Sequence, residues 1–183
     1  MNSSLETSSP AETEALAAKI GALVLPGLVI TLAGELGAGK TVFVRGLARG
    51  LGVPDATVTS PTYVLQHVYR GGRLPLYHID AYRLRGGADE FEASGLNESF
   101  ADAQGVVCVE WPERLGAFVW PAFRLEIQVE HAGLEQRRLA IRSTDARSGA
   151  LLKVIEENCP VLQSLTGMEE PSNHGSSEYR QGE

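Results

Sequence analysis

Eight consecutive residues, Gly34-Glu35-Leu36-Gly37-Ala38-Gly39-Lys40-Thr41, fill every fixed position of the spacing G-x-x-x-x-G-K-[ST]. That spacing suits one task, holding phosphate. The glycines let successive backbone N–H groups turn inward as an anion nest. The helix that follows adds the positive end of its dipole. Lys40 sets an ammonium against the β- and γ-phosphates, and Thr41 offers a hydroxyl to Mg²⁺. The expected nucleotide contacts are therefore Gly37, Ala38, Gly39, Lys40, Thr41 and Val42. Lys40 is one of only three lysines in the chain, with Lys19 and Lys153.

Such a loop needs an acidic residue at the end of a buried strand beside its own. Two carboxylates qualify. Glu110 follows Val106-Val107-Cys108-Val109, a wholly apolar run, and is the better candidate for Mg²⁺ or its water shell. Asp80 ends Leu76-Tyr77-His78-Ile79 and could take a metal, catalytic or switch role. Ligands of open α/β sheets bind beyond the carboxyl ends of strands, which suits both. Lys40, Asp80 and Glu110 are the candidate catalytic residues, and Thr41 and Glu110 the candidate metal ligands. Ser60-Pro61-Thr62 has hydroxyls that could order around a γ-phosphate as a switch, or it is a plain turn. Arg83 is a candidate for phosphate or for an acidic partner, or a surface residue. His78 shares a face with Asp80 at period two; such a histidine is more often core than metal ligand.

The surrounding elements must put this loop between a strand and a helix. Residues 28–33 are a β-branched, apolar run that reads as a buried strand. Phe43, Leu47 and Leu51 keep a helical period after Lys40, and Gly50 and Gly52 end it. Upstream, Ser9-Pro10-Ala11-Glu12 reads as a capping box opening an amphipathic helix over 10–24. Downstream, Gly71-Gly72 joins two strands ending at Tyr69 and Asp80, and residues 123–130 and 137–142 alternate as a second hairpin. Short helical pieces are expected over 81–105 and after Trp111, and a last helix over 148–157. The pattern predicts an α/β fold, a P-loop NTPase-like mixed sheet with helices on both faces and antiparallel strands at the edges. Residues 1–8 read as a disordered N-terminus, 9–158 as the folded domain and 159–183 as a disordered acidic tail.

The 183 residues suit one domain. A net charge of −7 argues against a direct grip on nucleic acid, so any service to RNA is expected through a partner. Cys108 and Cys159 have neither metal nor disulfide spacing. The N-terminus has no signal-peptide pattern, and no apolar stretch is long enough to span a bilayer. A cytoplasmic protein is the expectation.

Taken together, the chain resembles the TsaE family, formerly the YjeE ATPases, the small P-loop proteins of tRNA threonylcarbamoyladenosine (t6A) synthesis. The likeness lies in four ordered motifs: the glycine loop, Ser60-Pro61-Thr62-Tyr63, Tyr77-His78-Ile79-Asp80-Ala81-Tyr82-Arg83, and Val109-Glu110-Trp111-Pro112-Glu113. It covers about residues 10–155; Ala81 departs from the family's more usual leucine. The resemblance implies an ATP- and Mg²⁺-dependent ATPase that resets a complex of TsaB-like and TsaD-like partners. That complex carries out N6-threonylcarbamoylation of adenosine 37 in tRNAs reading ANN codons. It implies that Thr41 and Glu110 hold Mg²⁺, that Asp80 is needed for activity, and that Thr13 is the nearest match to a threonine beside the base. A GTPase reading lacks support, since no lysine is followed two positions later by aspartate, as [NT]-K-x-D requires. A small-molecule kinase would need a lid domain that is not evident. A nucleotide-responsive binding module with negligible turnover remains the alternative.

Overall fold

The computed structural model describes residues 1–54, 58–61, 65–102 and 104–159. Strands β1 (Asn2–Thr7), β2 (Val29–Ala33), β3 (Gln66–Tyr69), β4 (Leu76–Asp80), β5 (Val106–Glu110), β6 (Arg124–His131) and β7 (Arg137–Ser143) form one sheet in the order β1-β7-β6-β2-β5-β4-β3. The centre, β6-β2-β5-β4, is parallel; β3 on one side and β7 with β1 on the other are antiparallel. The helices are α1 (Pro10–Leu23), α2 (Lys40–Gly50), α3 (Gly87–Ala93) and α4 (Ala146–Asn158), with short 3-10 turns at Leu96–Ala101 and Pro112–Leu115.

Side-chain parity sorts the two layers. Ile30 and Leu32 of β2, Leu76 of β4 and Cys108 of β5 join a core with Ile20 of α1, Phe43 and Leu47 of α2, and Leu152 of α4. Val29, Ile79, Val107 and Val109 point the other way, to Phe91 of α3 and Leu115. Phe100, Phe118 and Trp120 extend this second core through edge-on and tilted ring contacts, as aromatic quadrupoles favour. The mixed sheet with helices on both faces and antiparallel edges is as the sequence predicts. Burial pushes the Cys108 thiol well up, as suits a core residue.

The N-terminus differs from the expectation. Residues 1–8 read as disordered, yet Asn2–Thr7 form β1, paired in register with β7 from Asn2↔Arg142 to Thr7↔Arg137. Ser3, Leu5 and Thr7 alternate inward, and Glu6 meets Arg138 at 2.7 Å. A single large apolar residue, Leu5, is too weak a pattern to announce a strand. The ladder supplied by β7 makes it one. The folded unit thus begins at β1, not at residue 9. Cys159, the last described residue, is buried; the tail expected beyond it lies outside the described residues.

Local signals set the helix ends. The Ser9 side chain accepts from the Glu12 N–H at 3.2 Å, one half of the expected capping box. The return bond shifts by one residue, with the Glu12 carboxylate accepting from the Ser8 N–H at 2.7 Å. The helix after the loop runs through Gly50 because that glycine packs on α1: a Cβ there would lie 2.0 Å from the Ala18 carbonyl oxygen. Gly46 is equally pressed, its Cβ position 2.2 Å from the Glu14 oxygen. This close seam draws α2, and with it the glycine loop, against α1.

Candidate functional site

β2 ends at Ala33, and the chain turns at Gly34 into the loop. Gly34 has φ +144°, and a Cβ on it would sit 2.2 Å from the Val129 carbonyl oxygen of β6. Both facts exclude other residues there. Gly37, at φ +80°, has no described residue beyond its chain neighbours within 4 Å of its Cβ position, so its missing side chain leaves open space at the loop's mouth. Arg137, at the start of β7, donates from Nε to the Ala38 carbonyl oxygen at 2.8 Å and braces the loop from behind.

A cleft of about 380 Å³ opens over this loop. Its lining includes Gly37, Lys40, Thr41, Asp80, Glu110 and Trp111. The three charged groups are almost wholly buried: Lys40 is 4%, Asp80 3% and Glu110 2% exposed. Lys40 Nζ donates to the carbonyl oxygens of Gly34 and Glu35 at 2.6 and 2.8 Å and lies 3.7 Å from the centre of the Trp111 ring. Burial pushes its ammonium below the ordinary lysine value, against the pull of Glu110, Glu113 and Asp80. Thr41 Oγ1 donates to Glu110 Oε1 at 3.1 Å. Ser60 Oγ donates to Asp80 Oδ2, and the Tyr82 N–H to Asp80 Oδ1 at 3.0 Å.

The topology explains the meeting. β4 and β5 are parallel neighbours in which Asp80 pairs with Glu110, and β5 lies beside β2, where Leu32 pairs with Glu110. Both carboxylates end strands on the face that carries α2. Trp111 follows at φ 61°, a left-handed conformation that costs a bulky residue about 1–3 kcal/mol. That turn brings the indole back over Lys40 and against Tyr82, ring centres 4.9 Å apart. Neither the turn nor the cation–π contact was legible in sequence.

The other expectations resolve as follows. Val42 lines the cleft; Ala38 is buried and meets Arg137 through its carbonyl. Thr13 is not brought to the cleft lining: it is buried in the first turn of α1, its hydroxyl 2.7 Å from that of Thr7 and donating to the Ser9 carbonyl oxygen at 3.2 Å. Ser60 reaches the site through Asp80, whereas Thr62 and Tyr63 of the same motif lie outside the described residues. Arg83 is exposed, in a second cleft with Tyr82, Arg85 and Arg114.

The donors suit a hard cation with phosphate. They are oxygens: a threonine hydroxyl and two carboxylates. Among the described residues lining the cleft, two buried carboxylates and one buried ammonium make an oxygen-rich setting that a divalent ion would suit. Among the described residues no three His, Cys, Asp or Glu side chains are arranged to hold a metal alone. An ion here would be shared between Thr41, Glu110 and a ligand's oxygens. The open space beside Gly37 leaves room for those oxygens.

A central strand, a glycine loop, a helix that starts at the lysine and an acid ending the neighbouring strand define a P-loop-type α/β protein. A sequence model of the family described as threonylcarbamoyl adenosine biosynthesis protein TsaE matches residues 7–139. The chain is 43% identical over 141 residues to the tRNA threonylcarbamoyladenosine biosynthesis protein TsaE of Bacillus subtilis (strain 168), covering 77% of this chain and 85% of that one. It is 49% identical over 100 residues to the protein of the same name from Streptomyces coelicolor, covering 54% and 66%. The crystal structure of Bacillus subtilis YdiB superposes with a TM-score of 0.70 at 35% identity, over 86% of this chain and 95% of that one. The chain belongs to the TsaE family. No helix among the described residues is long and apolar enough to cross a membrane.

Proposed function

We propose that this protein binds ATP with Mg²⁺ in the cleft over residues 34–41 and hydrolyses it slowly, as the nucleotide-driven subunit of tRNA threonylcarbamoyladenosine synthesis in the cytoplasm. The convergence of Lys40, Thr41, Asp80 and Glu110 at the mouth of one glycine loop carries the reading. Lys40 is poised to exchange its two loop carbonyls for phosphate oxygens. Thr41 and Glu110 would hold the Mg²⁺, which would neutralise phosphate charge and orient the terminal phosphate. Asp80, fixed by Ser60 and the Tyr82 N–H, is the carboxylate available to a water near that phosphate.

The described cleft lining contains no arginine, and P-loop hydrolysis is slow without a stabilising arginine. Weak turnover alone and stimulation by TsaB-like and TsaD-like partners follow. Contact with tRNA would be indirect, through those partners. The test is ATP hydrolysis by the native chain and by Lys40→Ala, each alone and with the cognate partners, with GTP in parallel. The reading expects low activity that rises with partners, for ATP only, and none in Lys40→Ala. Full turnover in Lys40→Ala refutes the assignment of the cleft, and a partner-independent rate refutes the role in a complex.

A further inference from the structure

His78 stands in the middle of β4 with 0% exposure, on the same face as Asp80. Its ring is walled by Tyr69 of β3, stacked at 6.4 Å and 27°, and it lies opposite Cys108 in the β4–β5 register. Nε2 is 2.8 Å from Glu110 Oε1. Nδ1 is buried without a hydrogen-bond partner among the described residues. A core that needed only volume would be served better by leucine, because a buried polar atom without a partner costs about 1–3 kcal/mol. Among the described residues, the ring's one polar contact is the one it makes to Glu110.

We propose that His78 is a positioning residue for Glu110, donating a hydrogen bond from Nε2 that fixes the carboxylate where it can serve Mg²⁺. A carboxylate oxygen of Glu110 accepts, so Nε2 must carry the hydrogen. Among the described residues, two side-chain donors hold the flexible Glu110 side chain, Thr41 and His78. Thr41's hydroxyl is the group an ion would claim. His78 then remains to keep the carboxylate aimed. Groups that orient a metal's ligand in this way typically change metal affinity or activity by about 10–100-fold when removed. The inference rests on the nucleotide and Mg²⁺ reading above.

Two measurements test it. In the nucleotide-free native chain, ¹⁵N NMR of the His78 ring should show a hydrogen on Nε2. The reverse tautomer overturns the proposal. Next, binding of fluorescent ADP is followed at stepped Mg²⁺ concentrations for the native chain, His78→Leu and His78→Gln. His78→Leu should bind ADP without Mg²⁺ as the native chain does, yet need at least about tenfold more Mg²⁺ for the same gain in affinity. His78→Gln, whose amide N–H can take the place of Nε2, should recover most of that loss. A native Mg²⁺ requirement in folded His78→Leu, or no recovery in folded His78→Gln, overturns the proposal. If His78→Leu does not fold, the ring spectrum and His78→Gln decide. No ADP binding by the native chain would refute the nucleotide reading itself, and the inference with it. That result is distinct from normal binding with an unchanged Mg²⁺ requirement.

Discussion

Two glycines of one motif should respond differently to the same methyl group. At Gly34 an alanine Cβ would sit 2.2 Å from the Val129 carbonyl oxygen, a backbone atom of a central strand that cannot swing aside. Positive φ adds strain of about 1–3 kcal/mol, and overpacking another 1–3 kcal/mol or so. The stiffer unfolded chain returns roughly 0.4–1 kcal/mol. Gly34→Ala should therefore destabilise by about 1–5.6 kcal/mol. At about 2–4 °C per kcal/mol for a chain of this size, Tm falls by roughly 2–22 °C. At Gly37 the Cβ meets no described residue beyond its chain neighbours within 4 Å, so strain alone counts, and the net loss is about 0–1.6 kcal/mol. Its methyl group would instead intrude where phosphate is proposed to lie. Gly37→Ala should keep Tm within roughly 6 °C of native and lose at least about tenfold in ATP affinity, or 1.4 kcal/mol. Thermal denaturation followed by circular dichroism, with calorimetric titration of ATP on the same samples, reads both. Equal losses of Tm at the two positions, or native ATP affinity in Gly37→Ala, would refute the reasoning.

Three further outcomes are expected. Gly46→Ala gains about 1 kcal/mol of helix propensity but places a Cβ 2.2 Å from the Glu14 oxygen and 2.7 Å from the Ala17 Cβ. Urea denaturation should show net destabilisation, and a more stable variant would contradict the tight α1–α2 seam. Trp111 lies over the ammonium that is proposed to move to phosphate, while Trp120 packs in the second core. Tryptophan fluorescence should therefore change on ATP binding in Trp120→Phe and not in Trp111→Phe. Lys40 is held below the ordinary lysine value chiefly by burial. The folded chain thus sheds that proton before the unfolded chain does, so burial of the charge costs stability at lower pH and the cost fades as pH rises toward about 10.4. ATP affinity should run the opposite way, declining already below that pH as the ammonium is lost; affinity flat to pH 10.4 would argue against Lys40 as the phosphate contact.

Much of this was legible in the sequence because it is local or periodic. The glycine loop announced itself by spacing, the first hairpin by its Gly71-Gly72 turn, the second by alternation, and Glu110 by the four apolar residues before it. What stayed hidden depends on distant chain. The β1 strand exists because β7 offers it a ladder, and six residues with only Leu5 as a large apolar member could not advertise that. The resemblance implies Thr13 beside the base; in the structure its hydroxyl lies 2.7 Å from that of Thr7, a contact between two elements that the sequence alone does not encode. The contact of His78 with Glu110 depends on the register between β4 and β5, which no spacing within either strand encodes. Trp111's left-handed turn and Arg137's brace on the loop are likewise products of packing. Strand parity could have suggested His78, since it shares a face with Asp80, but not the partner it finds there.

The most direct test of the central claim is calorimetric titration of ATP, with and without Mg²⁺, into the native chain and into Lys40→Ala. One ATP bound per chain, tightened by Mg²⁺, with affinity at least tenfold weaker in Lys40→Ala (about 1.4 kcal/mol), is the predicted result. Equal affinity in the two proteins, or no binding by the native chain, would contradict the assignment of this cleft to a nucleotide.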